Sequence, residues 1–502
     1  MMKPQYLAID LGSSNGKIVS AWLDQDKKLK MQEVGRFPTP RVFVNGHVCT
    51  EIYEIYGFVC RTLSEMGRKG IEIKSVGADS WSSDFCMVTP RGELAGLPVF
   101  YRDKRTNGMM SEVEKVISYR DLYRLTTQRR IQDASLCQLL AIKKEDPSQL
   151  EGGNKLMCLG DLLMYFFTGK ICSEVSVASY TQMFNMHDMC WENRVFDMFG
   201  IPRAIQPEVV QAADCLGSIS EEHAKHLGVN RFEIIAPAVH DTSSAGVAVP
   251  VDGRKNWAYL ATGSWYLVSM ELEKPADPEL SYHFNLSNTG LAFGKTLLKR
   301  NVCAMWIIQE CRRMWQSAGY DCDYPVIAAL AGNAKPFYAM IDPDDVSFYN
   351  PENMVESVLQ FLIKTGQKVP AIDDIGQIAR IIYESIAFKC RYSLEALKKT
   401  TGRCVDTLYT VGGSSNVAFL NQMISSALNI MLLTGPQEAS AVGNILLQAV
   451  GSGELGGEEE IREVVRRTFP IHVFYPENPQ EWDNHYQEFL QICGLDLIQG
   501  DR

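Results

Sequence analysis

The chain has 502 residues, 46% of them hydrophobic, with 49 Lys and Arg against 60 Asp and Glu, a net charge of −11 and a pI near 5.4. That length allows two or three domains with sizeable cores, and the missing basic excess argues against a nucleic-acid or anionic-membrane partner. Fourteen cysteines stand singly with no Cys-x-x-Cys pair, and the opening stretch MMKPQYLAIDL holds no long apolar segment, so a reduced, cytoplasmic protein without a signal peptide is expected. The eight histidines form no metal signature; His223 and His226 in EEHAKHLG read as one exposed helical turn. The longest apolar runs, such as Leu162–Phe167, are far too short to span a bilayer.

Three strand-like runs open the chain, YLAIDL, GKIVSAWLD and LKMQEVGRF, separated by short turn-rich or charged breaks that predict an antiparallel meander. A helix is expected around Glu51–Met66, then a strand at Ile73–Asp79, and the text from Ser118 to Gly228 is mostly helical in period. The opening pattern then returns. Asn256–Thr262 reads as an apolar strand ending in a Gly-Ser turn, WYLVSMELE as the next strand and LAFGKTLL as a third, followed by a helix at Asn301–Trp315. A long helix is expected over Ile375–Lys399, with Ile378, Ile382, Ile386, Cys390, Leu394 and Leu397 at helical steps and Gly402 suited to its C-terminus. The strand TLYTV then runs into GGSSN and a further helix. Each half starts as strand, small-residue turn, strand, and continues into alternating helix and strand. This predicts a domain-scale duplication, residues 1–246 and 247–502, flanking a central cleft.

The stretch AIDLGSSNGKIV resembles a Walker loop but fails its spacing: three residues separate Gly12 from Gly16, and Ile18 follows Lys17 where a hydroxyl is needed. Tight turns of Gly and Ser expose consecutive N–H groups and hydroxyls, and such a nest attracts phosphate oxygens. DLGSSNG in the first half and TGSW in the second offer two such turns that can grip a polyphosphate from both sides. VGGSSN, between a strand and a helix, leaves room for a flat base or sugar. His240-Asp241-Thr242 follow a strand and open a small-residue helix, which reads either as a helix cap or as a general base facing a cleft. GADSWSSDF places Asp79, Trp81 and Asp84 beyond a strand end, where carboxylates and an aromatic face suit a polyol.

Taken in order, Asp10 with its small-residue turn, HDTSSA, TGSW and VGGSSN resemble the FGGY carbohydrate kinases, whose fold is α/β: two RNase H-like domains of the actin-like ATPase kind. YRDKRT, ATGSWYLV, KRNVCAMWIIQECRRMW and GNILLQAVGSGEL extend the resemblance over essentially the whole chain. It implies ATP and Mg²⁺ as cofactors and transfer to the terminal primary hydroxyl of a ketose, L-rhamnulose first. It implies that Ser13, Ser14, Asn15, Gly16 and Lys17 contact the ATP phosphates, that Asp10 supports Mg²⁺ and the transferred group, and that Thr262, Gln309 and Gly413 lie on the nucleotide side. Asp241 would be the base, with Ser82, Asp84, His240, Thr242 and Asn301 around the sugar. A homodimer is compatible with the sequence, which does not specify the oligomeric state.

Some positions depart from the pattern of the branch acting on L-rhamnulose. Ser82 replaces a glycine, Asn288 stands where a Glu is usual, and Lys17 stands where Arg is usual. Branches acting on xylulose and glycerol carry Gly-Gln-Met-His and Asn-Gln-Arg where this chain has ADSWSSD, which argues against both. The alternatives are a kinase for another ketose such as L-fuculose, a non-kinase actin-like ATPase, and a sugar-binding regulator without catalysis.

Overall fold

The computed structural model describes residues 3–497 and 500–501. The opening meander is present as β1 (Gln5–Leu11), β2 (Asn15–Leu23) and β3 (Leu29–Pro38), and α1 (Ile52–Arg68) leads into β4 (Ile73–Ser80). Two short strands, β5 (Cys215–Ser218) and β6 (Glu233–Ile235), complete a sheet of order β5-β6-β4-β1-β2-β3. β1 is buried along its whole length, as a strand covered on both faces must be. It pairs antiparallel with β2 and parallel with β4, in a register that sets Asp10 beside Asp79.

After α2 (Asp241–Val247) the plan repeats. β7 (Trp257–Thr262), β8 (Trp265–Leu272), β9 (Ser287–Gly290) and β10 (Thr296–Cys303) are followed by helix α3 (Met305–Ser317) and the long α4 (Ile375–Thr401), which Gly402 ends in a left-handed conformation. β11 (Thr407–Gly412), α5 (Ala418–Leu428), β12 (Met431–Thr434), α6 (Ala439–Gly451) and β13 (Val473–Phe474) complete it. The second sheet runs β9-β10-β8-β7-β11-β12-β13, again an antiparallel meander joined in parallel through its first strand.

Three expectations change. Residues 301–303 finish β10 instead of starting a helix, because alternation wins there: Leu298 and Val302 enter the core of the second half, while Leu297 faces the other way. Within LAFGKTLL, Ala292–Gly294 is a turn, and the preceding Ser287–Gly290 adds a fourth meander strand. The 118–228 segment alternates short helices with two- to four-residue strands, too short for a period-2 signal to register.

A third core lies between the sheets. It joins Tyr6, Ala8, Val19 and Ala21 from the first sheet to Tyr259, Ala261, Tyr409 and Val411 from the second, with Val442, Ile445 and Leu446 of α6 in the middle. The polar side of α6 is also buried. Asn444 Nδ2 donates to Asp79 Oδ2 (2.6 Å) and to the Gly77 carbonyl, Gln448 Nε2 donates to the Leu7 carbonyl (2.9 Å), and Ser75 Oγ donates to Gln448 Oε1 (2.7 Å). α6 also runs close to α2: a Cβ on Gly443 would sit 1.9 Å from the Ser244 carbonyl oxygen.

This contact generates a prediction. Gly443→Ala forces backbone against backbone and should cost about 1–3 kcal/mol of unfolding free energy, as overpacking does. Gly57→Ala on α1, where the nearest atom to an added Cβ is the Arg61 guanidinium at 3.4 Å, should instead stabilise by about 0.5–1 kcal/mol through helix propensity. Urea midpoints that move the same way for both variants would contradict this account.

Candidate active site

A cavity of about 440 Å³ opens between the two sheets at the ends of β1, β4, β7 and β11. The β1–β2 turn forms one wall. Gly12 N–H donates to the Asn15 carbonyl, Thr39 Oγ1 donates to the Gly12 carbonyl (2.6 Å), and Arg41 donates to the Ser13 carbonyl. The carbonyls are thus occupied from behind, and Gly12, Ser13, Ser14, Asn15 and Lys17 line the cavity. The β7–β8 turn forms the opposite wall. Thr262 Oγ1 donates to the Val411 carbonyl (2.9 Å) and accepts from Ser414 N–H, while Ser264 Oγ donates to Gln309 Oε1 (3.0 Å). Gly412 adopts φ +97°, and a Cβ there would meet the Thr262 carbonyl at 2.5 Å, so only glycine suits this crossing of β11 and β7.

Acidic groups gather on the floor. Burial pushes Asp10 up, opposed by Lys17, whose ammonium lies 3.2 Å from Asp10 Oδ2 and also pairs with Glu438. Burial also works against the Lys17 charge, but Asp10 and Glu438 outweigh it and hold the ammonium protonated. Asp79 is driven well above the usual carboxylate range by burial and then by Asp10. Asp241 is raised to about 6, chiefly by burial under the cleft walls and next by the Asp10 charge, with Thr242 and Lys299 opposing. A third of its side chain still faces the cleft. Oδ1 accepts from the Thr242 N–H (2.6 Å) and hydroxyl, while His240 occupies the cap position of the helix, so Asp241 makes no helix-cap bond and Oδ2 is left for the cleft. His240, 3.4 Å away through Nε2, is held neutral by burial.

The backbone carrying His240 and Asp241 is pinned from behind. Glu174 Oε2 accepts from Val239 N–H (2.9 Å), Ser176 N–H (2.9 Å) and the Ser176 hydroxyl, and Ser176 Oγ accepts from His240 N–H (2.9 Å). Burial raises Glu174 to about 7.

Of the residues expected from the sequence, Asp10, Ser13, Ser14, Asn15, Lys17, His240, Asp241, Thr242, Thr262, Asn301 and Gly413 line this one cavity. Gly16 sits behind it, where a Cβ would strike the Phe37 ring at 2.4 Å, and Gln309 is held at the rim by Ser264. Ser82 and Asp84 are buried beyond the lining, which is formed there by Trp81; burial raises Asp84 to about 7 against Arg105 and Arg41. Asn288 is also away from the cavity: it accepts from Ala276 N–H through Oδ1 and from Gln128 through its carbonyl, stapling β9 to residues 127–128. Sequence reasoning missed Tyr101, Tyr180, Lys299, Gln437, Glu438 and Ser440. A charged residue inside the apolar strand pattern was a usable signal for Lys299; the other residues carry no local signal.

Comparisons with known proteins agree with this geometry. The N-terminal domain of the FGGY family of carbohydrate kinases matches residues 5–248 and its C-terminal domain residues 258–452. A rhamnulokinase from Bacteroides thetaiotaomicron is 33% identical over 489 residues, 97% of this chain and 99% of its own. One from Ligilactobacillus salivarius is 31% identical, covering 97% and 98%. Among solved structures, a gluconate kinase from Lactobacillus acidophilus superposes with a TM-score of 0.78 at 17% identity, covering 98% and 97%, and the Plasmodium falciparum glycerol kinase with ADP with 0.77 at 15%, covering 97% of each chain. The chain belongs to the FGGY family of carbohydrate kinases and has its two-domain actin-like ATPase fold.

Removing the Glu174 carboxylate should expose how far the site depends on this brace. Glu174→Ala leaves buried donors at Val239 and Ser176 without a partner and should lower unfolding free energy by about 2–5 kcal/mol, since each such group costs roughly 1–3 kcal/mol. A urea midpoint equal to that of the native protein would show that the carboxylate is dispensable.

Proposed function

We propose that this carbohydrate kinase transfers the γ-phosphoryl group of ATP to the terminal primary hydroxyl of L-rhamnulose, giving L-rhamnulose 1-phosphate and ADP. The observation that carries the reading is Asp241, a raised and cleft-facing carboxylate between two small-residue turns from opposite sheets. The full-length similarity to rhamnulokinases supports the choice of sugar.

In this reading Ser13, Ser14, Asn15 and Lys17 hold the phosphates from one wall, with Gly16 packed behind them, and Thr262 from the other, with Gln309 and Gly413 on the nucleotide side. His240, Thr242 and Asn301 hold the sugar, and Ser82 and Asp84 support it from behind Trp81. Asp10 fits a Mg²⁺ site. Its side chain lines the cavity with Oδ2 toward Lys17, and among the described residues no cluster of three ligating side chains gathers. One carboxylate completed by phosphate oxygens and water is the usual way to hold this ion. Bound there, Mg²⁺ neutralises charge on the β- and γ-phosphates. Asp241 takes the proton of the acceptor hydroxyl as its oxygen bonds to the γ-phosphorus and the bond to the bridging oxygen of ADP breaks.

We place the division between domains at 246/247, in the last turn of α2 and ahead of the second sheet, which starts at Trp257. Cysteines that are free and mostly buried suit a reducing cytoplasm.

Asp241 works as a base only when deprotonated. With its carboxyl raised to about 6, kcat should be level at neutral pH and fall toward tenfold per unit as the pH drops below 6. Asp241→Asn should reduce kcat roughly 10²–10⁴-fold, the usual worth of such a group, abolish this limb and leave ATP binding unchanged. A coupled ADP-release assay should rank L-rhamnulose above L-fuculose, L-ribulose, D-xylulose and glycerol in kcat/KM. Near-native turnover by Asp241→Asn would reduce this residue to a structural one at the start of α2.

A further inference from the structure

Lys299 is the most anomalous side chain in the cavity. β10 alternates, so Leu297, Lys299 and Asn301 share the face toward the cleft, while Arg300 turns to the opposite side and donates to the Phe284 carbonyl. Lys299 is 2% exposed yet lines the cavity. Its ammonium makes no hydrogen bond or ion pair among the described residues. The Tyr180 ring lies 5.3 Å from Nζ, and that ring stands 5.5 Å from the His240 ring. Burial, and then the Arg129 charge, press Lys299 down to about 7 against the pull of Asp241.

A second lysine in the same protein shows what a structural role looks like. Lys389 is just as buried, but its ammonium pairs with Asp342 at 2.7 Å and Asp344 at 3.2 Å. A buried ammonium without such partners is costly to keep, and here it faces a cavity. Its depth is fixed by register. Cys303 lies opposite Trp265, beside the β7–β8 phosphate turn, and Lys299 lies opposite Ser269. Four residues of strand carry it about 13 Å beyond that turn, into the aromatic end formed by Trp81, Tyr101 and Tyr180. Asp241 and Lys299 line the same cavity and interact electrostatically, with no ion pair within 4.0 Å.

We propose that Lys299 is a specificity-determining residue for the acceptor, donating hydrogen bonds from its ammonium to a sugar oxygen other than the one phosphorylated. The acceptor then lies between two groups of opposite charge, one from each half of the chain: Asp241 addresses the reacting hydroxyl and Lys299 a second oxygen. This rests on the sugar-kinase reading of the same cavity.

The test compares Lys299→Met, close in shape but without the charge, and Lys299→Gln, a neutral donor, with the native enzyme. Lys299→Met should raise KM for L-rhamnulose about 10- to 100-fold, the worth of a hydrogen bond to a charged group, with KM for ATP unchanged and kcat altered far less. Its Tm without ligand should equal or exceed that of the native protein, because an unpaired buried charge has gone. The rise in Tm on adding sugar, which needs no turnover, should be lost in Lys299→Met and partly kept in Lys299→Gln. An unchanged sugar KM, or an unchanged sugar-induced Tm rise, would overturn the proposal, as would a lower ligand-free Tm with native sugar affinity, which marks a structural lysine. Failure of the native enzyme to phosphorylate any ketose would instead overturn the reading of the reaction, and the Tm comparison would still decide whether Lys299 binds sugar.

Discussion

The structure depends on how α6 is buried between two sheets. Its apolar side meets strands from both halves, and its polar side satisfies the Gly77 and Leu7 carbonyls through Asn444 and Gln448. A helix that must bury both faces needs hydrogen-bond partners on one of them, and the central strands of the first sheet supply these. Asn444 and Gln448 lie one turn apart and bond to each other at 2.7 Å, so the helix fits in one register only. A shift of one residue would bury two amides without partners. The small residues that allow the approach, Gly443 against Ser244 and Gly77 against Asn444, belong to the same constraint. Because α6 follows the sheet of one half and docks on the sheet of the other, it fixes the strand ends of both halves around one cleft.

That placement creates the electrostatics of the site. Parallel pairing of β1 with β4 sets Asp10 beside Asp79, and α2 brings Asp241 to the same floor. Three carboxylates this close cannot all ionise cheaply. They are resolved in different ways. Asp79 is buried with Asn444 and driven toward its neutral form, Asp10 keeps a countercharge in Lys17, and Asp241 is left intermediate and open to the cleft. Lys17 also pairs with Glu438, at the start of α6, so the same ammonium ties β2, just after the β1–β2 turn, to the second half. Burial thus produces the division of roles within one acidic cluster.

Much of this was legible in the sequence because the signals are local. Small-residue turns after apolar strands, the duplicated order of strand, turn and strand, and the 3.6 period of α4 with Gly402 behind it need no tertiary knowledge. What could not be read was set by pairing across the chain. The strand character of residues 301–303 comes from β8, and the short strands at 155–158 and 172–174 pair with residues 85–88 and 208–210, distant in sequence. The places of Ser82, Asp84 and Asn288 followed the same logic. The sequence shows them near the sugar-side motifs, while packing puts them behind the cavity wall, where Trp81 and the 127–128 segment intervene.

Two of the departures from the family pattern, Ser82 and Asn288, lie outside the cavity lining, whereas Lys17 is part of it. Asn288 holds β9 against residues 127–128, and Arg129, next in the chain, donates its N–H to Ser287 Oγ and adds its charge to the surroundings of Lys299. Ser82 sits beside Trp81 and could change how that ring presents its face without touching a ligand. In the proposed reading the acceptor surface is drawn from the cavity-lining residues Trp81, Tyr101, Tyr180, His240, Asp241, Lys299 and Asn301. Aromatic faces give it broad tolerance for C–H surfaces, and the few polar groups must carry the discrimination between hydroxyl patterns. Two of those polar groups come from β10 in the second half and the others from the first. A change in the angle between the halves would alter the spacing of the polar groups while leaving each wall intact. If this cavity takes the sugar as proposed, the α6 contact that fixes that angle bears on acceptor choice together with the residues that line the cavity.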